Sequence, residues 1–166
     1  MNEYVVKDGE DLSKYRPNVG LVIINQQGKV FLGKRVDATG AWQMPQGGID
    51  DGESILESAF RELHEETGIE KRFISEYKII PFKLKYNLPI EVRSNFWSGK
   101  YIGQVQTWVF IRFNGSENNI SLKSTNHVEF AEYKWVDFDE VLKLCVDFKI
   151  KVYKKVLDFV INNFLD

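Results

Sequence analysis

The apolar positions of this chain fall into short runs with the period of strands, broken by polar turns, and three stretches with the period of helices. Val19-Gly20-Leu21-Val22-Ile23-Ile24 is a continuous apolar run, as expected of a strand buried on both faces. Asn25-Gln26-Gln27-Gly28 reads as a turn, and Lys29-Val30-Phe31-Leu32-Gly33 as the returning hairpin partner. Asp37 to Gly40 reads as a loop, and Trp42-Gln43-Met44 as a short strand. Ser54 with Glu57 three residues on is a capping-box pattern, so a helix starts there. Gly68-Ile69 is its stop, a glycine free to turn left-handed with an apolar residue packing back. Phe73 to Phe82, Val105 to Phe113 and Phe130 to Val136 follow as strands. Phe96 to Tyr101 reads as a turn or flexible loop, and Asn114 to Asn119 as a polar turn. Asp137 is a candidate N-cap for a short helix running to Cys145. Asp147 is a candidate cap for a last helix, with Val152, Val156, Phe159 and Val160 on one stripe. Residues 1–14 are polar and read as an irregular arm before a single domain over 15–166. Strands and helices mixed around one core give an α/β (α+β) sandwich, a mixed β-sheet between helices.

Composition narrows the function. The 166 residues suffice for one full core and fall short of two. A net charge of −2 gives no global basic field, which argues against long duplex nucleic acid and leaves a site for one nucleotide or a chain end open. One cysteine, Cys145, excludes an internal disulfide framework and fits a reducing compartment. It sits in a helical apolar pattern and reads as a buried structural thiol. No apolar run approaches the roughly 20 residues that span a membrane. A cytoplasmic enzyme is the expectation; oligomeric state is not legible.

The chemistry gathers on the Ser54–Gly68 helix. At about 100° per residue, Glu62, Glu65 and Glu66 fall at relative angles of about 0°, −60° and +40°, beside an apolar stripe of Leu56, Ala59, Phe60 and Leu63. Like charges at that spacing repel, and a hard cation removes the cost. An ordinary solvated glutamate face is the alternative. The preceding Met44-Pro45-Gln46-Gly47-Gly48 favours the site, because its glycines let backbone approach a ligand.

Gly47, then Glu53, then Arg61-Glu62-Leu63-x-Glu65-Glu66-x-Gly68-Ile69 resembles the complete Nudix box over residues 47–69. That resemblance implies the Nudix fold and hydrolysis of a nucleoside diphosphate linked to another group. It also implies divalent metal, Mg²⁺ or Mn²⁺ and more than one ion, held by Glu62, Glu65, Glu66 and the Gly47 carbonyl. Glu53 and Arg61 would instead hold the loop against the helix.

Further runs are similar to the bacterial RNA pyrophosphohydrolases and the related dinucleoside polyphosphate hydrolases. These are Tyr15 to Gly20, Trp42 to Gly48, Tyr86 to Pro89, Ile102 to Trp108, and Val146 to Lys149 with Val152-Tyr153. The implied substrate is the 5′ end of triphosphorylated RNA, converted to 5′-monophosphate RNA in a step that promotes mRNA decay. An Ap4A-type dinucleoside polyphosphate is the alternative, and a catalytically dead nucleotide-binding module a third reading. A triphosphate needs guanidinium and ammonium donors besides metal, and Arg16, Lys34, Arg35, Lys83 and Arg93 are candidates. By the resemblance, Arg16 and Tyr86 face the phosphates, Arg35 and Phe148 sandwich a nucleobase, and Glu129 completes the metal site. Core packing is the alternative for Phe148. Gln104 and Gln106 project from one strand face and could bond phosphate or base. Glu62, Glu66 and Glu129 are the candidate catalytic carboxylates, with Glu66 and Glu129 contending to take the proton from the attacking water. No role falls to His64 or His127, and the tryptophans read as core or groove wall.

Overall fold

The computed structural model describes residues 3–37 and 40–165. The first two residues of the expected arm, Ala38 and Thr39 of the expected Asp37–Gly40 loop, and the last residue lie outside it. The strands are β1 (Tyr15–Ile24), β2 (Val30–Arg35), β3 (Trp42–Gln43), β4 (Gln46–Gly48), β5 (Ile74–Asn87), β6 (Gly103–Phe113) and β7 (Phe130–Val136). The helices are α1 (Ile55–Thr67), α2 (Phe138–Leu144) and α3 (Ile150–Asn163). The strands form one mixed sheet in the order β3-β2-β1-β6-β5, with β4 also pairing β1 and β7 pairing β2. β1 and β6 run parallel from Tyr15↔Gly103 to Ile24↔Arg112.

Alternation along the central strands sorts their side chains between two layers. Val22 and Ile24 of β1, with Trp108 and Phe110 of β6, join Val141, Val152, Tyr153 and Val156 under α2 and α3. Val19, Leu21 and Ile23, with Val109 and Ile111, join Ala59 and Leu63 of α1 on the other face. The sheet is therefore sandwiched by helices.

Local signals set α1. Ser54 accepts from the Glu57 N–H at 3.1 Å, and the Glu57 carboxylate accepts from the Ser54 N–H at 3.0 Å. Gly68 closes the helix at φ 73°, where a side chain would strain the backbone and meet Ser121.

Four expectations need correction. β1 and β2 share a single paired position, Ile24↔Val30. The rest of that edge of β1 is taken by β4 and by Pro45, whose carbonyl accepts from the Leu21 N–H at 2.9 Å. β2 then pairs along its length with β7. Asp137 precedes α2 but makes no side-chain cap, because its carboxylate pairs with Lys29 at 2.8 Å. Asp147 opens a 3₁₀ turn (Asp147–Lys149), and α3 starts after Lys149. The arm is tied to the sheet. Val6 N–H donates to Lys83, Lys85 N–H donates to Tyr4, and Val5 bridges Leu84 on β5, which runs on to Asn87 beyond the expected Phe82.

Candidate active site

The pocket opens where β1, β4, α1, the ends of β2 and β5, and the turn before α3 converge. Its volume is about 470 Å³. One wall carries Gly47, Glu62, Glu65, Glu66 and Glu129. The others carry Arg16, Arg35, Tyr86, Gln104 and Phe148, so most of the candidate residues, drawn from distant parts of the chain, share one cavity.

Four candidates lie elsewhere. Lys34 alternates with Arg35 along β2, so its side chain leaves on the opposite face and is not among the pocket residues. Lys83 is exposed on β5, and its backbone carbonyl accepts from Val6 in the arm. Gln106 lies fully buried beneath the pocket residues, donating to Asn18 Oδ1 at 2.8 Å and Gln46 Oε1 at 3.1 Å. Arg93 also lies off the lining, its Nε closing the turn onto the Leu88 carbonyl at 2.9 Å.

The carboxylate wall is under electrostatic load. Glu62 and Glu66 are both buried, on the helix face angled toward β4. Burial pushes the Glu62 carboxyl up to about 7 against the pull of Arg61, with Glu65 and Glu129 adding to the rise. Burial raises Glu66 well above its ordinary value, and Glu62 and Glu129 push the same way. Glu66 Oε2 accepts from the Gln46 N–H at 3.0 Å. A side chain at Gly47 would collide with the Glu62 carboxylate, so the glycine lets that carboxylate lie against the β4 backbone. Arg61 donates through Nη1 to Glu62 at 2.8 Å and Glu65 at 3.2 Å, and through Nη2 to the Gly48 carbonyl at 2.8 Å. With Arg61 spanning Glu62 and Glu65, no three acidic or histidine side chains among the described residues are gathered on one point. The donor set nevertheless fits a hard cation: all-oxygen, buried at Glu62 and Glu66 and open at Glu65 and Glu129, with a backbone carbonyl alongside.

The opposite wall is cationic and aromatic. Arg35 donates to Asp37 at 2.7 Å and Gln43 at 3.2 Å. Tyr86 is buried, and its hydroxyl accepts from Gln104 Nε2 at 2.6 Å. Phe148 is 36% exposed, tilted against Tyr86 with ring centroids 5.6 Å apart. It is a rim residue, and the core-packing alternative loses its basis.

Sequence reasoning gave no role to one residue of this wall and only a general one, core or groove wall, to another. Lys149 is 5% exposed, and its Nζ donates to Gln43 Oε1 at 3.1 Å and Gln46 Oε1 at 3.4 Å. Burial pulls its amine down to about 7, with Arg35 reinforcing the shift. Its sequence signal was its place at the end of the run Val146 to Lys149, directly after Phe148. Trp97 also lines the pocket, from a segment that read as a turn or loop.

The chain matches the NUDIX domain model over residues 14–156. It is 44% identical over 152 residues to a protein of Erythrobacter litoralis (strain HTCC2594) named RNA pyrophosphohydrolase, covering 90% of this chain and 92% of that one. A Pelagibacter ubique (strain HTCC1062) protein of the same name is 46% identical over 142 residues, covering 85% and 88%. Among solved structures, the E. coli dihydroneopterin triphosphate pyrophosphohydrolase superposes with a TM-score of 0.70 at 21% identity, over 89% of this chain and 98% of that one. A C. elegans Ap4A hydrolase complex superposes with a TM-score of 0.65 at 21% identity, over the same shares. These two structures speak for the fold alone.

Proposed function

The chain belongs to the Nudix family, a hydrolase acting on pyrophosphate bonds, and from that premise we propose that it removes pyrophosphate from the 5′ end of triphosphorylated RNA. The observation that carries the reading is likeness to RNA pyrophosphohydrolases over nearly the whole chain, far beyond the glutamate helix. The alternative, an Ap4A-type hydrolase, rests on the runs that those hydrolases share with this chain; the Ap4A hydrolase structure, at 21% identity, speaks for the fold alone.

In this reading Glu62, Glu65, Glu66, Glu129 and the Gly47 carbonyl hold one or more divalent cations, Mg²⁺ or Mn²⁺. When bound, the cations supply neutralisation of phosphate charge and acidification of a water. Arg16, packed over Gly48 beside the carboxylate wall, binds phosphate oxygens. Arg35 and Phe148 take a base between a guanidinium plane and a ring, an arrangement that tolerates any base. Water attacks phosphorus in line and its proton passes to a carboxylate, Glu66 or Glu129. Pyrophosphate leaves, or phosphate leaves in two successive steps, and 5′-monophosphate RNA remains. Glu129 is exposed and can meet water directly, whereas Glu66 is buried and tied to the Gln46 N–H. A cytoplasmic setting suits the substrate and the single buried thiol. Parallel measurement of kcat/KM on triphosphate RNA and on Ap4A with Mg²⁺ tests the reading; a higher value on Ap4A replaces it with the alternative.

A further inference from the structure

Arg16 differs from the other cations in and beside the pocket. Arg35 is paired with Asp37, Arg61 with Glu53, Glu62 and Glu65, and Lys149 is bonded by two glutamine oxygens. Arg16 appears in no ion pair among the described residues, and its one side-chain hydrogen bond reaches Gln104 Oε1 at 3.4 Å. A bond of that length orients weakly. What faces the guanidinium is the Trp97 ring, with Arg16 Cζ 5.3 Å from the centroid. That is within cation–π range.

The backbone behind Trp97 is unusual. Trp97, Ser98 and Gly99 take φ values of 50°, 55° and 73° in succession. Two non-glycine residues in the left-handed region carry a conformational cost that the surroundings must sustain. Here the chain is held by the Gly99 N–H donating to Phe96 at 2.9 Å and the Lys100 N–H donating to Trp97 at 3.1 Å. The indole is braced by Phe96, at a centroid distance of 5.5 Å, and by Tyr101, edge-on at 6.0 Å. On its other side Arg16 packs so closely over Gly48 that a side chain there would collide with the guanidinium. A strained, braced segment thus presents one aromatic face to the one pocket arginine that lacks a carboxylate.

We propose that Trp97 is a positioning residue, fixing the Arg16 guanidinium by a cation–π contact so that its N–H donors stay free for the substrate's phosphates. A carboxylate partner would hold Arg16 equally well but would compete with phosphate for its donors and cancel its charge. An aromatic face holds the cation and leaves its edge available. The inference rests on the phosphate-binding role given to Arg16 above.

The test is a double-mutant cycle with two readouts: KM and kcat for triphosphate RNA, and Kd for a methylene-bridged guanosine triphosphate analogue that is not cleaved. Trp97→Leu removes the π face and keeps apolar bulk, whereas Trp97→Phe keeps a π face. Trp97→Leu is expected to raise both KM and Kd about fivefold, the order of one cation–π contact, with kcat changed less. Trp97→Phe is expected to recover most of that loss. In an Arg16→Ala background, Trp97→Leu is expected to add little. Equal effects of Trp97→Leu in both backgrounds, or Phe and Leu equally poor with a matching fall in melting temperature, would overturn the proposal. So would an unchanged Kd for the analogue in Arg16→Ala. Turnover of Ap4A in preference to RNA would instead overturn the substrate reading, and the Kd pattern would still decide the role of Trp97.

Discussion

Arg61 and Glu53 meet through two side-by-side hydrogen bonds, Nε to Oε2 at 2.6 Å and Nη2 to Oε1 at 2.9 Å. This two-point pair ties the loop after β4 to the middle of α1, and Arg61 Nη2 also reaches the Gly48 carbonyl. The geometry sets an acid-sensitivity for the site. Hydrogen bonds from Arg61, then the N–H of Asp50, hold the Glu53 carboxyl down to about 2 from an ordinary 4.5. A lowered folded-state value means the stabilisation is fully present above about 4.5 and lost as pH falls toward 2. Glu53→Gln is expected to melt lower than the parent at pH 7 and to converge with it between pH 4.5 and 2. Thermal melts of both proteins across that window check this; a constant gap between them would refute it.

How legible the molecule was depends on the range of the interaction. The α1 helix could be read because its start and stop are local: Ser54 with Glu57, and Gly68. The layering of β1 and β6 was foreshadowed by their apolar runs. Pairing was not, since which strand takes an edge is settled by distant competitors, as when Pro45 and β4 displaced β2 from β1. The same limit applies in the pocket. Strand alternation alone separates Arg35 from Lys34, but only the register against β3 and β7 says which one faces in. The burial of Lys149 and the aim of Trp97 were not legible for a physical reason. A lysine is buried here by Gln43, Gln46 and Tyr86, which lie far off in sequence, and a tryptophan is aimed by three consecutive left-handed residues that no periodicity announces.

The buried carboxylates should trade stability for activity. Glu62→Gln and Glu66→Gln keep volume and remove a negative charge from a crowded, desolvated wall. Each variant is expected to abolish Mg²⁺-dependent turnover. Each is also expected to melt higher than the parent without added metal, because mutual repulsion and the cost of burial both fall. Mg²⁺ should raise the parent's melting temperature and leave the variants nearly unmoved. Glu57→Gln should be close to neutral in activity, since glutamine also completes a capping box with Ser54. Near-normal turnover in either Glu62 or Glu66 variant would sink the metal-site assignment.

Lys149 should make stability depend on pH in the opposite range. It faces Arg35 from β2 with Asp37 beyond, Glu66 from α1, Cys145 at the end of α2 and Tyr86 from β5. Its folded-state value of about 7 lies below the ordinary 10.5. Between those values the unfolded chain keeps a proton that the folded chain releases, so stability rises with pH through that window. Lys149→Met keeps the stem and removes the amine. It is expected to melt higher than the parent at pH 7 and to lose that rise. Even about 1 kcal/mol would appear as about 2–4 °C in a domain of this size. A lower melting temperature with the pH slope intact would show that the two glutamine bonds outweigh burial.

Phe148 offers the sharpest separation between binding and folding. Its exposure of 36% and, among the described residues, a single ring contact, with Tyr86, place it on the rim rather than in the core. If it stacks on a base, Phe148→Ala should lose affinity for RNA ends by about 1–3 kcal/mol. Turnover at saturating RNA should fall less, because in the proposed reading the reacting phosphates lie at the carboxylate wall. A buried phenylalanine would instead cost about 3–5 kcal/mol of folding stability on truncation. KM and melting temperature measured on the same variant decide between them. Arg35→Lys probes the other side of the sandwich. Asp37 and Gln43 already hold the guanidinium in place, and lysine keeps the charge while losing the plane. Stacking predicts weaker RNA binding in that variant, whereas a purely ionic contact to phosphate predicts little change. A strongly lowered melting temperature in Phe148→Ala together with an unchanged KM would reject the stacking role for both residues.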